Sequence, residues 1–247
     1  MQTKSKLNWK HMVGWHNAAL TFAQFVIVPY SFYLLFTHDH NIAGVATSVL
    51  ITYLFCSVGF TIGNHRYFAH RAFKTTRTNE KILSILAILG TWISPLRWAA
   101  SHYHHHKHSD TEYDIHSPSY LGWKSMFFLF HNYKAQPALS LPAGRLAKDS
   151  WHTAIHKYIY FIILFYALSC YMLFGFNGLV YGWLFPTSYT ILGQMSLINA
   201  HDNGKPIDST FVNIMTMGDG NHAKHHDDPK DYEKDIFIRP VINFIKT

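Results

Sequence analysis

The sequence is short of charge. Only 14% of its 247 residues are Asp, Glu, Lys or Arg, against roughly 25% in a soluble globular domain. Four stretches have no such residue at all: 18–36, 42–62, 158–176 and 179–198. That absence argues against a soluble all-helical protein, whose core helices carry charge on the face turned to water. Each stretch has about the 20 residues that a helix needs to cross a bilayer core. Cysteine is nearly missing too. Cys56 and Cys170 both lie in apolar stretches, which leaves no disulfide framework and no cysteine metal site. The basic N-terminus is not followed by a short apolar core with a small-residue cleavage site, so no signal peptide is expected.

Lys and Arg are absent from the turns that join these stretches, THDHN after the first and Asn177-Gly178 after the third. If the N-terminus is cytosolic, two tight helical hairpins put all 21 basic residues on that side, as the positive-inside rule requires. The net charge of +7 then suits an anionic membrane surface or an acidic partner rather than nucleic acid. The expected fold is all-α and integral to the membrane, one multi-pass unit over residues 1–247. Four transmembrane helices form two hairpins, and residues 63–157 and 199–247 form a histidine-rich helical cap. Both termini and the cap are cytosolic in this reading. Residues 82–93 are too short to span and read as interfacial or re-entrant. Residues 120–131 read as a helix lying in the interface, and 136–150 as a connector.

What the chain has in excess is histidine, 19 residues in all. They are clustered. His65 and His70 stand in HRYFAH, and His102, His105 and His106 in HYHHH. His222, His225 and His226 stand in HAKHH, and His201 is alone just past the fourth stretch. Histidines at i, i+3 and i+4 share one helix face and can converge on a metal. His65 and His70 lie roughly 140° apart on an ideal α-helix, so they converge only if the helix is distorted or if they serve two metals. Nine candidate ligands are too many for one ion and enough for two. Imidazole suits iron, zinc, copper and nickel. The array has no Glu-x-x-His, unlike the soluble carboxylate di-iron bundles, and exceeds the three ligands of a catalytic zinc.

At this point the chain resembles the membrane fatty-acid desaturases, in particular their Δ9, stearoyl-CoA-desaturase-like branch, and among these the bacterial type. Residues 59–74 (GFTIGNHRYFAHRAFK), 98–118 (WAASHYHHHKHSDTEYDIHSP) and 199–226 (NAHDNGKPIDSTFVNIMTMGDGNHAKHH) carry the likeness. The resemblance implies four transmembrane helices under a cytosolic cap. It implies two iron ions with O2 as co-substrate, held by His65, His70, His102, His105, His106, His201, His222, His225 and His226. It implies a cis double bond, at Δ9, in a long acyl chain. A fatty-acyl or lipid hydroxylase on the same iron site is the competing reading. Asp110, Asp114, Asp219 and Asp227 are candidates to hold the ligand rings, and Trp98 is a candidate substrate contact. Three departures matter. Ala100 and Ser101 replace the Arg and Asp of acyl-CoA enzymes, which favours an acyl-lipid over an acyl-CoA substrate. Leu197 stands where the family has an Asn one turn before the lone histidine. Asn221 stands where it has a Trp. Electrons must come from a separate donor such as a ferredoxin or cytochrome b5.

Overall fold

The computed structural model describes residues 9–131 and 141–247. Three helical segments are long and apolar enough to cross a membrane: His16–Thr37, Ile42–Ala69 and Ile159–Ile198. The third has 40 residues, roughly 60 Å if straight, twice the about 30 Å of a bilayer core. It is not straight. Gly175 has φ 62° and ψ −155° inside it, and the Tyr166 hydroxyl donates to the Gly182 carbonyl at 3.1 Å, 16 residues on. A straight helix would hold those groups roughly 24 Å apart, so the chain doubles back here. The break falls slightly before the Asn177-Gly178 turn expected from sequence, because Gly175 takes the positive φ.

The turn after residues 159–174 meets the turn at 38–41. His38 Nε2 and Asn177 Oδ1 are 2.8 Å apart, and His40 Nδ1 lies 3.0 Å from the Tyr181 hydroxyl. Large apolar side chains face outward along the long helices. Phe36 is 82% exposed and Phe165 74%, a surface that water would reject and hydrocarbon would not. Leu20, Ile27, Phe60, Ile88, Ile163, Tyr181 and Ile191 form the buried core between the helices. Ile238 and Ile242 pack with Ile62, Phe68, Leu83 and Leu96, which fastens the C-terminal segment beneath the histidine-bearing helices.

The segment expected to be interfacial or re-entrant is the helix Arg77–Thr91. It packs along the second long helix, with Gly59 set against the Leu86 backbone. The next helix, Pro95–His108, is bent from it by 76°. Local chemistry sets the bend. Trp92 is left-handed, with φ 59°, and ends the first helix. The Ser94 side chain accepts from the Arg97 N–H and Pro95 opens the second, as capping preferences dictate. Residues 120–131 are not the single helix expected. They form the short helix Pro118–Leu121 and two 3₁₀ turns, Gly122–Met126 and Phe128–Phe130. Gly122, with φ 57° and ψ −143°, breaks the run. Tyr120, Trp123, Leu129 and Phe130 are exposed, while Gln24 accepts from the Phe128 N–H and donates to the Met126 carbonyl. Of the expected connector, residues 136–140 lie outside the described residues. The remainder includes the helix Leu141–Leu146.

Two outcomes follow. A Cβ at Gly59 would sit 2.5 Å from the Leu86 carbonyl carbon, whereas one at Gly144 would meet nothing within 4 Å. Gly59→Ala is expected to destabilise the fold by about 1–3 kcal/mol and Gly144→Ala to leave it unchanged, read as thermal unfolding midpoints in detergent. The second concerns pH. Burial pushes His131 down to about 4, although its ring donates to the Ser125 carbonyl. Burial and the Arg97 charge likewise push His156 down to about 4. Both titrate at 6.5 when unfolded, so unfolding takes up protons between those values. Their contribution to stability is complete above pH 6.5 and is lost as pH falls toward 4, which an unfolding midpoint measured against pH will show.

Candidate metal centre

The second long helix carries the first histidine pair and is wound unusually. Leu54–Ala69 is a π-helix of 16 residues, whose hydrogen bonds run from residue i to i+5. The His70 N–H donates to the His65 carbonyl at 3.2 Å. That winding puts residues five apart on one face and removes the 140° mismatch of an α-helix. The two rings lie 5.1 Å apart, centroid to centroid. The second set sits on Pro95–His108, where i, i+4 spacing aligns His102 with His106. The third sits on the helix His222–Asp227. His201 opens a two-residue strand paired with Lys205–Pro206.

These elements bring all nine sequence-predicted histidines into two groups. His65, His70, His102, His106 and His225 form one, and His105, His201, His222 and His226 the other. Within each, the available ligand atoms all lie within 4.8 Å of one another. In the first group the Nε2 atoms of His65 and His225 are 2.7 Å apart, those of His70 and His102 2.8 Å, and those of His102 and His106 3.0 Å. In the second, His201 and His222 Nε2 are 3.1 Å apart. The groups adjoin: the rings of His106 and His226 stack at 4.3 Å.

Carboxylates hold the outer edges of three rings. Nδ1–H of His65 donates to Asp219 at 2.8 Å, that of His105 to Asp114 at 2.9 Å, and that of His201 to Asp110 at 2.7 Å. A proton fixed at Nδ1 leaves the Nε2 lone pair facing inward, which is how an outer-shell carboxylate prepares a metal ligand. Asp227, the fourth candidate, is exposed and makes no hydrogen bond to a histidine ring among the described residues. It sits past His226, on the side of its helix turned to water. Trp98 is buried, stacked on His102 at 5.3 Å and edge-on to Phe60. His104 lies in neither group and donates to the Tyr113 carbonyl. Leu197 is buried in the apolar core, and Asn199 is exposed, so neither turns a donor toward the second group.

Burial keeps several of these rings neutral. Burial, with the charge that protonated neighbours would add, lowers His70, His102, His222 and His225 well below 6.5. The same causes bring His226 to about 3. Burial raises the Asp114 carboxyl, but its hydrogen bond and attraction to His105 outweigh this and hold it below the usual carboxylate range. Neutral imidazoles and ionised carboxylates are the forms metal binding requires. His226 Nε2 is buried and has no hydrogen-bond partner among the described residues. The donor set therefore fits a metal centre.

Two residues were not singled out from the sequence. Arg66 is 2% exposed. Its guanidinium touches Asp219 at 3.3 Å and His225 Nδ1 at 2.7 Å. Removing one partner of such a buried pair typically costs about 3–5 kcal/mol. The available signal was a charged residue directly after His65, at the end of an apolar helix. His116 stacks on His105 at 4.5 Å and groups with it and Asp114; its signal was the DIH that follows the second set.

Comparison with known proteins agrees with the geometry. The family model for fatty acid desaturases matches residues 40–232. The sn-1 stearoyl-lipid 9-desaturase of Anabaena variabilis is 25% identical over 237 residues, covering 91% of this chain and 83% of that protein. The Delta(9)-fatty-acid desaturase fat-6 of Caenorhabditis elegans is 26% identical, covering 94% and 74%. The Acyl-CoA 5-desaturase AL21 of Anemone leveillei is 29% identical, covering 72% and 59%. With the family matched over well more than half its length, the chain belongs to the fatty acid desaturases.

Proposed function

We propose that this desaturase introduces a cis double bond at Δ9 into a long acyl chain carried on a membrane lipid, at a two-iron centre. The observation that carries this reading is the gathering of nine imidazoles into two adjoining groups at the ends of apolar helices. His65, His70, His102, His106 and His225 would hold one iron, and His105, His201, His222 and His226 the other. Asp219, Asp114 and Asp110 fix three of those rings. Bound iron supplies, with O2 and two electrons, the oxidising power needed to remove hydrogen from an unactivated methylene. The protein's part is to ligate, to orient the chain and to exclude water.

The proposed topology has four spans. The first two are His16–Thr37 and the span that begins at Ile42; the folded segment Ile159–Ile198 supplies the third and fourth. Arg77–Thr91 and Pro95–His108 do not cross, and both termini and the histidines face the cytosol, as the basic loops favour. Ala100 and Ser101 offer no charge to a CoA group, and the Anabaena relative is named for a stearoyl-lipid. Both favour an acyl-lipid substrate. Trp98, stacked on His102, is the proposed contact for the chain beside the metal. The net charge of +7 suits an acidic electron carrier, a ferredoxin or a cytochrome b5.

Expression beside a compatible donor is expected to add monounsaturated chains with the bond at C9, read by acyl-chain analysis. His105→Ala and His226→Ala should each abolish the product while the protein stays inserted. Retained product in both, or hydroxylated chains from the wild type, would count against the proposal. Asp110→Asn is expected to loosen His201 and lower metal affinity roughly 10–100-fold. Equilibrium metal titration of the folded variant checks this.

A further inference from the structure

The helix Thr210–Thr216 ends against the long apolar helices rather than in water. The last carbonyls of a helix have no partner inside it, and a cytosolic helix leaves them to solvent. Here they are taken by side chains of the apolar helices. The Tyr189 hydroxyl donates to the Ile214 carbonyl at 2.8 Å, and the Cys56 thiol to that of Met215 at 3.4 Å. The Thr61 hydroxyl donates to the Thr216 carbonyl at 2.8 Å, and that of Ser57 to Met217 at 2.9 Å. Further along the chain, the Tyr53 hydroxyl donates to the Phe237 carbonyl at 3.0 Å. The second long helix sets the depth of these contacts. It starts at Ile42, beside the turn at residues 38–41. At about 1.5 Å per residue, Tyr53 lies roughly 17 Å and Thr61 at most about 29 Å from that end. Both fall within the about 30 Å of a bilayer core.

The side chains left on the outside are apolar. Phe211 and Ile214, one turn apart on that helix, are 65% and 55% exposed, and Ile236 and Phe244 are 71% and 89% exposed. Phe244 belongs to the helix Arg239–Ile245, which buries Ile242 in the cluster that holds Ile62 and Leu83. Exposed bases rim this surface: Arg239, Lys246 and Lys74, the last joined to the C-terminus where its carbonyl accepts from the Thr247 N–H at 3.0 Å. We infer that residues 210–217 and 236–245 lie within the bilayer leaflet on the histidine side, as a collar against the second and fourth spans, and that the partner of their outer face is phospholipid. Carbonyls satisfied on the inside, apolar side chains outside and long basic side chains at the rim are what a lipid surrounding selects. The collar reaches the metal centre as well. The Thr216 hydroxyl accepts from the Asp219 N–H at 2.9 Å, and Asp219 holds His65. The first histidine set is thereby tied to a segment at the level of the lipid chains, so an acyl lipid can present its chain without leaving the leaflet. The inference rests on the membrane-spanning reading of the long helices.

The test is carbene photolabelling of the wild-type protein in vesicles of phosphatidylcholine and phosphatidylglycerol, with a lipid-soluble diazirine and peptide mapping by mass spectrometry. Residues 210–217 and 236–245 should be labelled alongside 159–174, and residues 227–235 spared. Nitroxide labels read the same point at single positions. Phe211→Cys and Phe244→Cys are made in a Cys170→Ala background, since Cys56 is buried. Both labels should collide with oxygen, which concentrates in lipid, and lose most collisions with a water-soluble nickel chelate. A label at Asp227→Cys should show the reverse. Carbene sparing of both segments, with nickel-accessible labels at the two Phe positions, would overturn the inference and put this face in water. Labels shielded from both reagents would overturn it too, by putting protein over the face. If residues 159–174 are also spared, the membrane-spanning reading falls with it.

Discussion

The structure depends on keeping many imidazoles buried and aimed inward at the ends of apolar helices. A buried polar group without a partner is costly, and nine rings carry eighteen ring nitrogens. The fold meets the demand in two ways. The outer nitrogens of His65, His105, His201 and His225 meet Asp219, Asp114, Asp110 and Arg66, and several inner ones meet each other at 2.7–3.2 Å, while His222 Nδ1 and His226 Nε2 have no partner among the described residues. The inner contacts are the places where ions would replace hydrogen bonds. The low ring pKa values arise from the same packing, since a proton on any ring would be buried beside its neighbours.

The apolar helices serve this arrangement. The π-wound Leu54–Ala69 stretch delivers two of the nine histidines from one helix, and π segments are frequent at functional sites. The bend between Arg77–Thr91 and Pro95–His108 returns the chain so that the second histidine set meets the first. The doubling back at Gly175 brings the last long helix to its end close to His201. The C-terminal segment is held by Ile238 and Ile242 below, and by Arg66 through the carbonyls of Pro229 and Asp231. First and third histidine sets, separated by some 160 residues of sequence, are thereby joined through side chains outside the nine histidines as well.

Much of this was legible in the sequence, and the reasons are physical. A charge-free run of span length has few alternatives, so the long helices could be placed within a few residues. Spacing of i, i+3, i+4 puts histidines on one helical face, so HYHHH and HAKHH announced themselves. The His65–His70 pair did not, because α-helical geometry misplaces it and π winding leaves no plain mark in composition. Of four acidic candidates, three hold rings, while Asp227 faces water. Sequence proximity alone could not separate them, because the partner of His65 is Asp219, 154 positions away. Arg66 leaves no plain mark either, because a lone arginine after a histidine reads as a flanking charge until its burial is known. The 120–131 segment reads as one helix in sequence, but Gly122 breaks it with a positive φ that its apolar neighbours do not reveal.

The central claim is that nine histidines hold two irons. X-ray absorption at the iron edge, combined with metal analysis of the purified wild type, tests it most directly. The account expects two irons per chain in a shell of nitrogen and oxygen donors with imidazole scattering, and half that iron when His222 and His226 are both replaced by Ala. One iron or none in the fully loaded wild type, or an iron shell without imidazole, would contradict it.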